Sequence, residues 1–290
     1  MAAKPEDGTW CTEILHADYR QGLRVARVLY DSATEHQRLV VFESPTFGRV
    51  LTLDDVVQTT EADEFIYHEM LAHVPLIAHG HARHVAIVGG GDGGLAEEVL
   101  KHPSVERVTM IEIDAGVVDF AREHLPSIGS RAFDDPRLDL VIADGRQFMA
   151  ETEARFDVIL IDSTDPIGPG EVLFTRAFYA DCKRCLNPDG ILVTQNGVPF
   201  LQAGELRASL KAFASLFADA TCYLCTVPTY AGGPMALGWA SDQPAHRQHA
   251  VATLRARYAE AGLDGVRYVN AEVHQAAFAL PNYVRELVPA

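Results

Sequence analysis

The chain has 290 residues, 48% hydrophobic and 22% charged, enough apolar material for one large domain or two smaller ones, with no apolar run long enough to span a membrane. Its formal net charge of −16 speaks against a nucleic-acid partner, because such domains concentrate Lys and Arg, and is compatible with a cationic small molecule drawn to a negative cleft. No apolar segment follows Lys4 in the opening residues, so no secretory signal is expected and a cytoplasmic location is.

From about Thr9 to Thr60 the sequence reads as short, partly alternating, β-branched segments: 14–15, 23–30, 38–43 and 49–53. Turn pairs such as Ser44-Pro45 and Phe47-Gly48 separate them. A small antiparallel sheet is expected here, and residues 1–61 are assigned to an N-terminal β-sheet domain. The character changes at Glu61. Residues 62–71 carry Phe65, Ile66, Met70 and Leu71 on one helical stripe, and Pro75 is expected to end or kink that helix.

Beyond His84 the chain alternates strands (85–88, 107–113, 138–142, 156–161, 191–194) with helices (95–101, 116–123, 175–186, 205–217). Such alternation predicts an α/β fold: a Rossmann-like, mostly parallel sheet with helices on both faces. Two closing strands, 221–227 and 235–240, joined through Gly232-Gly233-Pro234, suit a methyltransferase-type sheet. Residues 62–290 are therefore assigned to one catalytic domain.

Five cysteines include two C-x-x-C pairs, Cys182/Cys185 and Cys222/Cys225, the spacing of a four-thiolate zinc site. The second pair lies on a predicted strand, where positions three apart face opposite ways. Packing is the expected role, and no metal site is assigned.

The strand His84-Val85-Ala86-Ile87-Val88 runs into Gly89-Gly90-Gly91-Asp92-Gly93-Gly94, in which Gly89, Gly91 and Gly94 satisfy G-x-G-x-x-G. Glu112, about twenty residues on, ends the next strand, where a carboxylate can accept from both ribose hydroxyls. Ile142-Ala143-Asp144-Gly145 ends a third strand, a position for adenine contacts. No Walker lysine follows the glycines, which excludes a triphosphate loop. Asp92 would repel the pyrophosphate of NAD and the carboxylate of S-adenosylmethionine but welcome an ammonium, which points to decarboxylated S-adenosylmethionine. It would also serve as a cap for the following helix.

The strand Phe156-Asp157-Val158-Ile159-Leu160-Ile161 then opens into Asp162-Ser163-Thr164-Asp165-Pro166-Ile167-Gly168-Pro169. Two carboxylates at the C-terminal end of a buried strand sit where open α/β sheets bind ligands, and they suit holding and deprotonating an amine.

These stretches, with Val56-Val57-Gln58-Thr59-Thr60-Glu61, Asp63-Glu64-Phe65-Ile66-Tyr67-His68-Glu69-Met70 and Pro228-Thr229-Tyr230, make the sequence resemble the polyamine aminopropyltransferases, the bacterial spermidine synthases among them, over Trp10 to Pro281. The resemblance implies transfer of an aminopropyl group from decarboxylated S-adenosylmethionine, as co-substrate, to putrescine by a homodimer or homotetramer without a prosthetic group. It implies that Gln37, Glu112, Asp144, Gly145 and Pro169 line the nucleoside site. Asp92 and His68 meet the aminopropyl amine, Tyr67, Asp165 and Tyr230 hold putrescine, and Asp162 is the catalytic carboxylate. The far ammonium is expected near Trp10 and Gln195. Cadaverine, agmatine and spermidine remain alternative acceptors, and methyl transfer from S-adenosylmethionine an alternative reaction. Two departures stand out. Position 68 is His where many relatives have Gln, and a neutral, accepting ring is expected there. The helix after the glycines reads Leu95-Ala96-Glu97-Glu98, without an arginine common in the family, at a position expected to face solvent.

Overall fold

The computed structural model describes residues 8–34, 37–129, 131–165 and 168–289, with positions 168 and 169 described by backbone alone. Six N-terminal strands form two antiparallel sheets. β1 (Trp10–His16) pairs β2 (Tyr19–Arg24), and β3 (Arg27–Ala33), β4 (Arg38–Ser44), β5 (Gly48–Leu53) and β6 (Val56–Thr60) make a four-stranded meander. The expected strand 23–30 is thus broken at Val25-Ala26. Both backbone amides there leave the strand pattern to bond Thr9 and Glu43 carbonyls, handing the chain from one sheet to the other.

The larger sheet has seven strands in the order β12-β13-β11-β10-β7-β8-β9. β7 (His84–Gly89), β8 (Arg107–Glu112), β9 (Leu138–Ile142), β10 (Phe156–Asp162) and β11 (Leu186–Gln195) run parallel, while β12 (Asp219–Cys225) and β13 (Met235–Ser241) close it as an antiparallel hairpin. The continuous apolar run of β10 is explained by its two buried faces. Val158 and Leu160 join one core, while Ile159 and Ile161 join the other. β7 alternates in the same way, with Val85 and Ile87 on the first face and Ala86 and Val88 on the second.

Helix α1 (Glu64–His79) passes straight through Pro75. Every residue from Ile66 to His79 is buried, so packing on all sides outweighs the roughly 3 kcal/mol that an interior proline costs. Gly80, in the left-handed conformation, ends it. Helices α2 (Gly94–Leu100), α3 (Ala115–His124), α5 (Arg176–Cys185) and α6 (Ala203–Ala214) follow the expected alternation. α4 (Gly145–Glu151) and the C-terminal α7 (Val251–Ala261), α8 (Ala271–Ala277) and α9 (Asn282–Arg285) were not anticipated from the pattern. Buried Glu69 anchors the C-terminal segment by accepting the amides of Arg267, Tyr268 and Val269.

The meander packs on the larger sheet's outer helix: Leu39, Val41, Leu51 and Leu53 share a core with Val117, Phe120, Leu125 and Ile128 of α3 and the loop after it. In α2, Leu95, Ala96 and Glu98 are buried and Glu97 is half-exposed. The cysteine pairs do not converge. Cys182, Cys185 and Cys222 lie in the core on one face of the sheet, Cys225 in the core on the other.

The turn after β7 is fixed by one close approach. Gly89 has φ +88°, and a Cβ there would lie 2.0 Å from the Asp162 carbonyl oxygen. Gly89→Ala is therefore expected to destabilise the fold by about 2 kcal/mol or more, combining backbone strain with displacement of β10. A denaturant midpoint indistinguishable from the parent protein would contradict this contact.

Candidate active site

One cavity of about 410 Å3 opens at the C-terminal ends of β7, β8 and β10 and beneath the N-terminal strands. Helix α1 delivers Tyr67 and His68 to it on adjacent positions. Tyr67 Oη donates to Asp162 Oδ1 at 2.7 Å. The ring of His68 meets Glu64 Oε2 through Nδ1 at 2.7 Å, one helical turn back, and stands 3.7 Å from Asp92 Oδ2 through Nε2. It fits because residue 94 is glycine: a Cβ there would lie 2.3 Å from His68 Cε1.

Asp92 faces the cavity from the position just before Gly93, the N-cap of α2. Its Oδ1 accepts the amide of Gly94 at 2.9 Å, which leaves Oδ2 toward His68. His68, Asp92 and Asp162 keep ligand-type atoms within 4.8 Å of one another, a compact cluster suited to a cation. The two carboxylates accordingly share one corner of the site instead of facing each other across it.

Burial raises the Asp162 carboxyl to about 6, with Asp92 adding repulsion, against the lowering influence of His68 and the Tyr67 hydrogen bond. Burial and the neighbouring Asp162 carboxylate also hold the Tyr67 phenol well above its ordinary range, so it stays a donor. For His68 the direction differs from the expected neutral ring. Burial alone would lower it, but Asp92, Glu64 and Asp162 overcome burial and raise it to about 10. A shift of that direction favours the imidazolium form of His68, paired with Glu64.

The side expected to take the nucleoside is built from β8 and β9. Glu112 lines the cavity, accepts the Asp114 amide at 2.9 Å, and is raised to about 7 by burial and by Asp114 and Asp162. Asp144 lines it too while capping α4 through the amides of Arg146 and Gln147, and Gly145 follows. Gln37 arrives from the meander and donates to Asp114. Ile113 and Val172, both more than a third exposed, give this side an apolar wall. The side chain of Pro169 lies outside the described residues.

At the other end Asp165 accepts from Gln202, and burial raises its carboxyl. Tyr230 donates its hydroxyl to the Gln58 carbonyl at 2.5 Å, leaving its oxygen lone pairs available. Asp63 fixes this loop by accepting both the amide and the hydroxyl of Thr229. Gln195 lines the cavity with an Oε1 that has no partner among the described residues. Trp10, expected beside it, is 49% exposed and does not line the cavity.

Sequence reasoning missed Glu13, Glu64 and Gln202. The Glu64–His68 spacing of four on a predicted helix was a usable signal. Glu13, whose carboxylate binds the Val57 amide and Gln21, reaches the cavity from a strand hairpin with no motif of its own.

Residues 64–250 match the spermine/spermidine synthase domain and residues 9–61 the spermidine synthase tetramerisation domain. The polyamine aminopropyltransferase of Ruegeria sp. (strain TM1040) is 65% identical over 280 residues, 97% of this chain and 98% of that protein. Polyamine aminopropyltransferase 1 of Pseudomonas aeruginosa is 56% identical over 276 residues, 95% of this chain and 96% of that protein. Among solved structures, a spermidine synthase in complex with the transition state analogue AdoDATO superposes with a TM-score of 0.92 at 37% identity, over 98% of this chain and 96% of that one. Spermidine synthase from Thermotoga maritima superposes with a TM-score of 0.90 at 36% identity, with the same coverage. The chain is an enzyme and belongs to the spermine/spermidine synthase family of polyamine aminopropyltransferases.

Proposed function

We propose that the enzyme transfers the aminopropyl group of decarboxylated S-adenosylmethionine to putrescine, giving spermidine and methylthioadenosine. The observation that carries this reading is the corner where Asp162, held by Tyr67, and Asp92, in the glycine turn, lie within 4.8 Å in one cavity. A donor bearing a sulfonium and an ammonium, and no carboxylate, suits that charge. The AdoDATO complex of a structural neighbour supports the same donor.

Glu112 takes the ribose hydroxyls, and these donors offset the burial that raises it. Gln37, Asp144, Gly145 and Pro169 flank the nucleoside. Asp92 holds the aminopropyl ammonium, and His68, its charge balanced by Glu64, sets the position of that carboxylate. Tyr67, Asp165 and Tyr230 hold putrescine. An alkyl amine with a pKa near 10 arrives protonated, so Asp162 takes its proton and aims the lone pair. The nitrogen bonds to the methylene carbon as the carbon–sulfur bond breaks. The electron pair stays on sulfur, and neutral methylthioadenosine leaves. Because the sulfonium is already a good leaving group, positioning and desolvation supply most of the acceleration.

Residues 1–61 form the assembly domain, of a homodimer or homotetramer, and 62–290 the catalytic domain. The cytoplasm is the proposed location. Among the described residues no helix is long and apolar enough to cross a membrane.

Supplying decarboxylated S-adenosylmethionine with putrescine, cadaverine, agmatine or spermidine in parallel, and weighing the products by mass spectrometry, tests the acceptor. Putrescine is expected to give the highest kcat/KM. A better alternative amine would reassign the acceptor, and no transfer to any amine would sink the reading.

Asp162→Asn is expected to lower kcat by about 10²–10⁴ while methylthioadenosine still binds. In the parent enzyme kcat/KM should fall as pH drops through about 6, where Asp162 takes up its proton, and the residual rate of the variant should lack that limb. Near-native turnover in the variant would remove Asp162 from the role of base.

Asp92→Asn should raise the donor KM by about tenfold to a hundredfold, the loss of one charged partner, yet leave the affinity for methylthioadenosine, which has no ammonium, nearly unchanged. Equal weakening of both would assign Asp92 to the fold of the turn instead.

A further inference from the structure

At the opposite end of α1 from Tyr67 and His68, a second cluster of ligating side chains has no place in the reaction. Gly80, in the left-handed conformation, turns the chain back on itself, so the flanking His79 and His81 come together with ring centroids 4.4 Å apart. Asp189, near the start of β11, faces both. Its Oδ2 is 3.2 Å from His81 Nε2 and 3.7 Å from His79 Nε2.

His79 is the unusual member. It is 2% exposed, and neither ring nitrogen has a hydrogen-bond partner among the described residues. Leaving both poles of an imidazole buried and unpaired is costly, and proteins rarely do so without a ligand to satisfy them. His246 stacks over it at 5.6 Å but is itself committed, one nitrogen to the Ala78 carbonyl and the other to the Asp189 carbonyl. Arg257 is likewise committed, to the carbonyls of Ile77 and Ala78. These neighbours wall the cluster without occupying it.

We propose that His79, His81 and Asp189 form a binding site for a divalent transition metal of the zinc class, remote from the reaction. Donors about 2.0–2.2 Å from a tetrahedral zinc stand roughly 3.3–3.6 Å apart, and the three ligand atoms already lie within 4.8 Å of one another. Two imidazoles and one carboxylate are the donor set that zinc, copper and nickel prefer over magnesium or calcium. Water completes the coordination on the open side, where His81 is 72% exposed. Such a metal would tie the end of α1 to the first residues of β11.

The test is zinc titration of the full chain, free of any affinity tag and stripped by chelation, followed by calorimetry and thermal melting. Its expected result is one equivalent bound remote from the catalytic cluster and a rise in Tm on binding. His81→Ala and Asp189→Asn, both at accessible positions, should fold normally without metal, weaken that equivalent by about tenfold or more, and abolish the rise in Tm. His68→Gln should leave both effects intact, which separates this cluster from His68, Asp92 and Asp162. Absence of binding, its survival in both His81→Ala and Asp189→Asn, or its loss in His68→Gln would overturn the assignment.

Discussion

The close contact between Gly89 and the backbone of Asp162 is the constraint from which the site is built. Gly89 pairs with Asp162 in the parallel ladder, and the amide of Gly90 donates to the Asp162 carbonyl at 3.0 Å. Two strand ends are thereby fixed to each other with no side chain between them. The glycine turn that carries Asp92 and the strand end that carries Asp162 therefore cannot move independently. Helix α1 then crosses both. Tyr67 bonds the carboxylate of Asp162, and His68 fits against Gly94 to face Asp92. The precision of the corner comes from strands and a buried helix, elements that hold geometry better than loops do.

Within that corner the charges make sense only together. Glu64, Asp92 and Asp162 surround one imidazolium, so ionising Asp162 deepens a negative excess that the cluster already has. Burial disfavours such an excess, which is why the Asp162 carboxyl titrates near 6 instead of at its ordinary value. A cationic ligand relieves the penalty, whereas an anionic one would deepen it.

Much of this was legible because strands buried on both faces announce themselves as continuous apolar runs. β7, β8 and β10 could be found with little ambiguity, and the glycines and acids at their ends marked the ligand side. What was not legible depends on contacts distant in sequence. Pro75 reads locally as a helix end, yet α1 continues because its surroundings bury it completely. The protonation of His68 depends on Glu64, on Asp92 in another turn and on Asp162 in another strand, and no single motif sums them. Glu13 and Gln202 reach the cavity from a hairpin and from the N-terminus of α6, whose local sequences carry no chemical signature. The C-terminal helices were missed because their place is set by Glu69 and by the back of the sheet, not by a strong apolar stripe of their own.

The two ends of α1 show how little residue type alone decides. His68 and His79 are eleven residues apart on one buried helix, about 16 Å along its axis. Burial pushes both imidazoles toward the neutral form. At His68 three carboxylates reverse that push and carry it to about 10, while at His79 burial, helped by His81 and His246, outweighs Asp189 and Asp157, and the ring falls to about 4. One end of the helix therefore favours a charged ring beside an acidic pocket, and the other a neutral ring buried beside His81 and His246. Two histidines of one buried helix thus differ in their preferred charge with no difference in residue type. The difference requires only that the acids be counted in three dimensions.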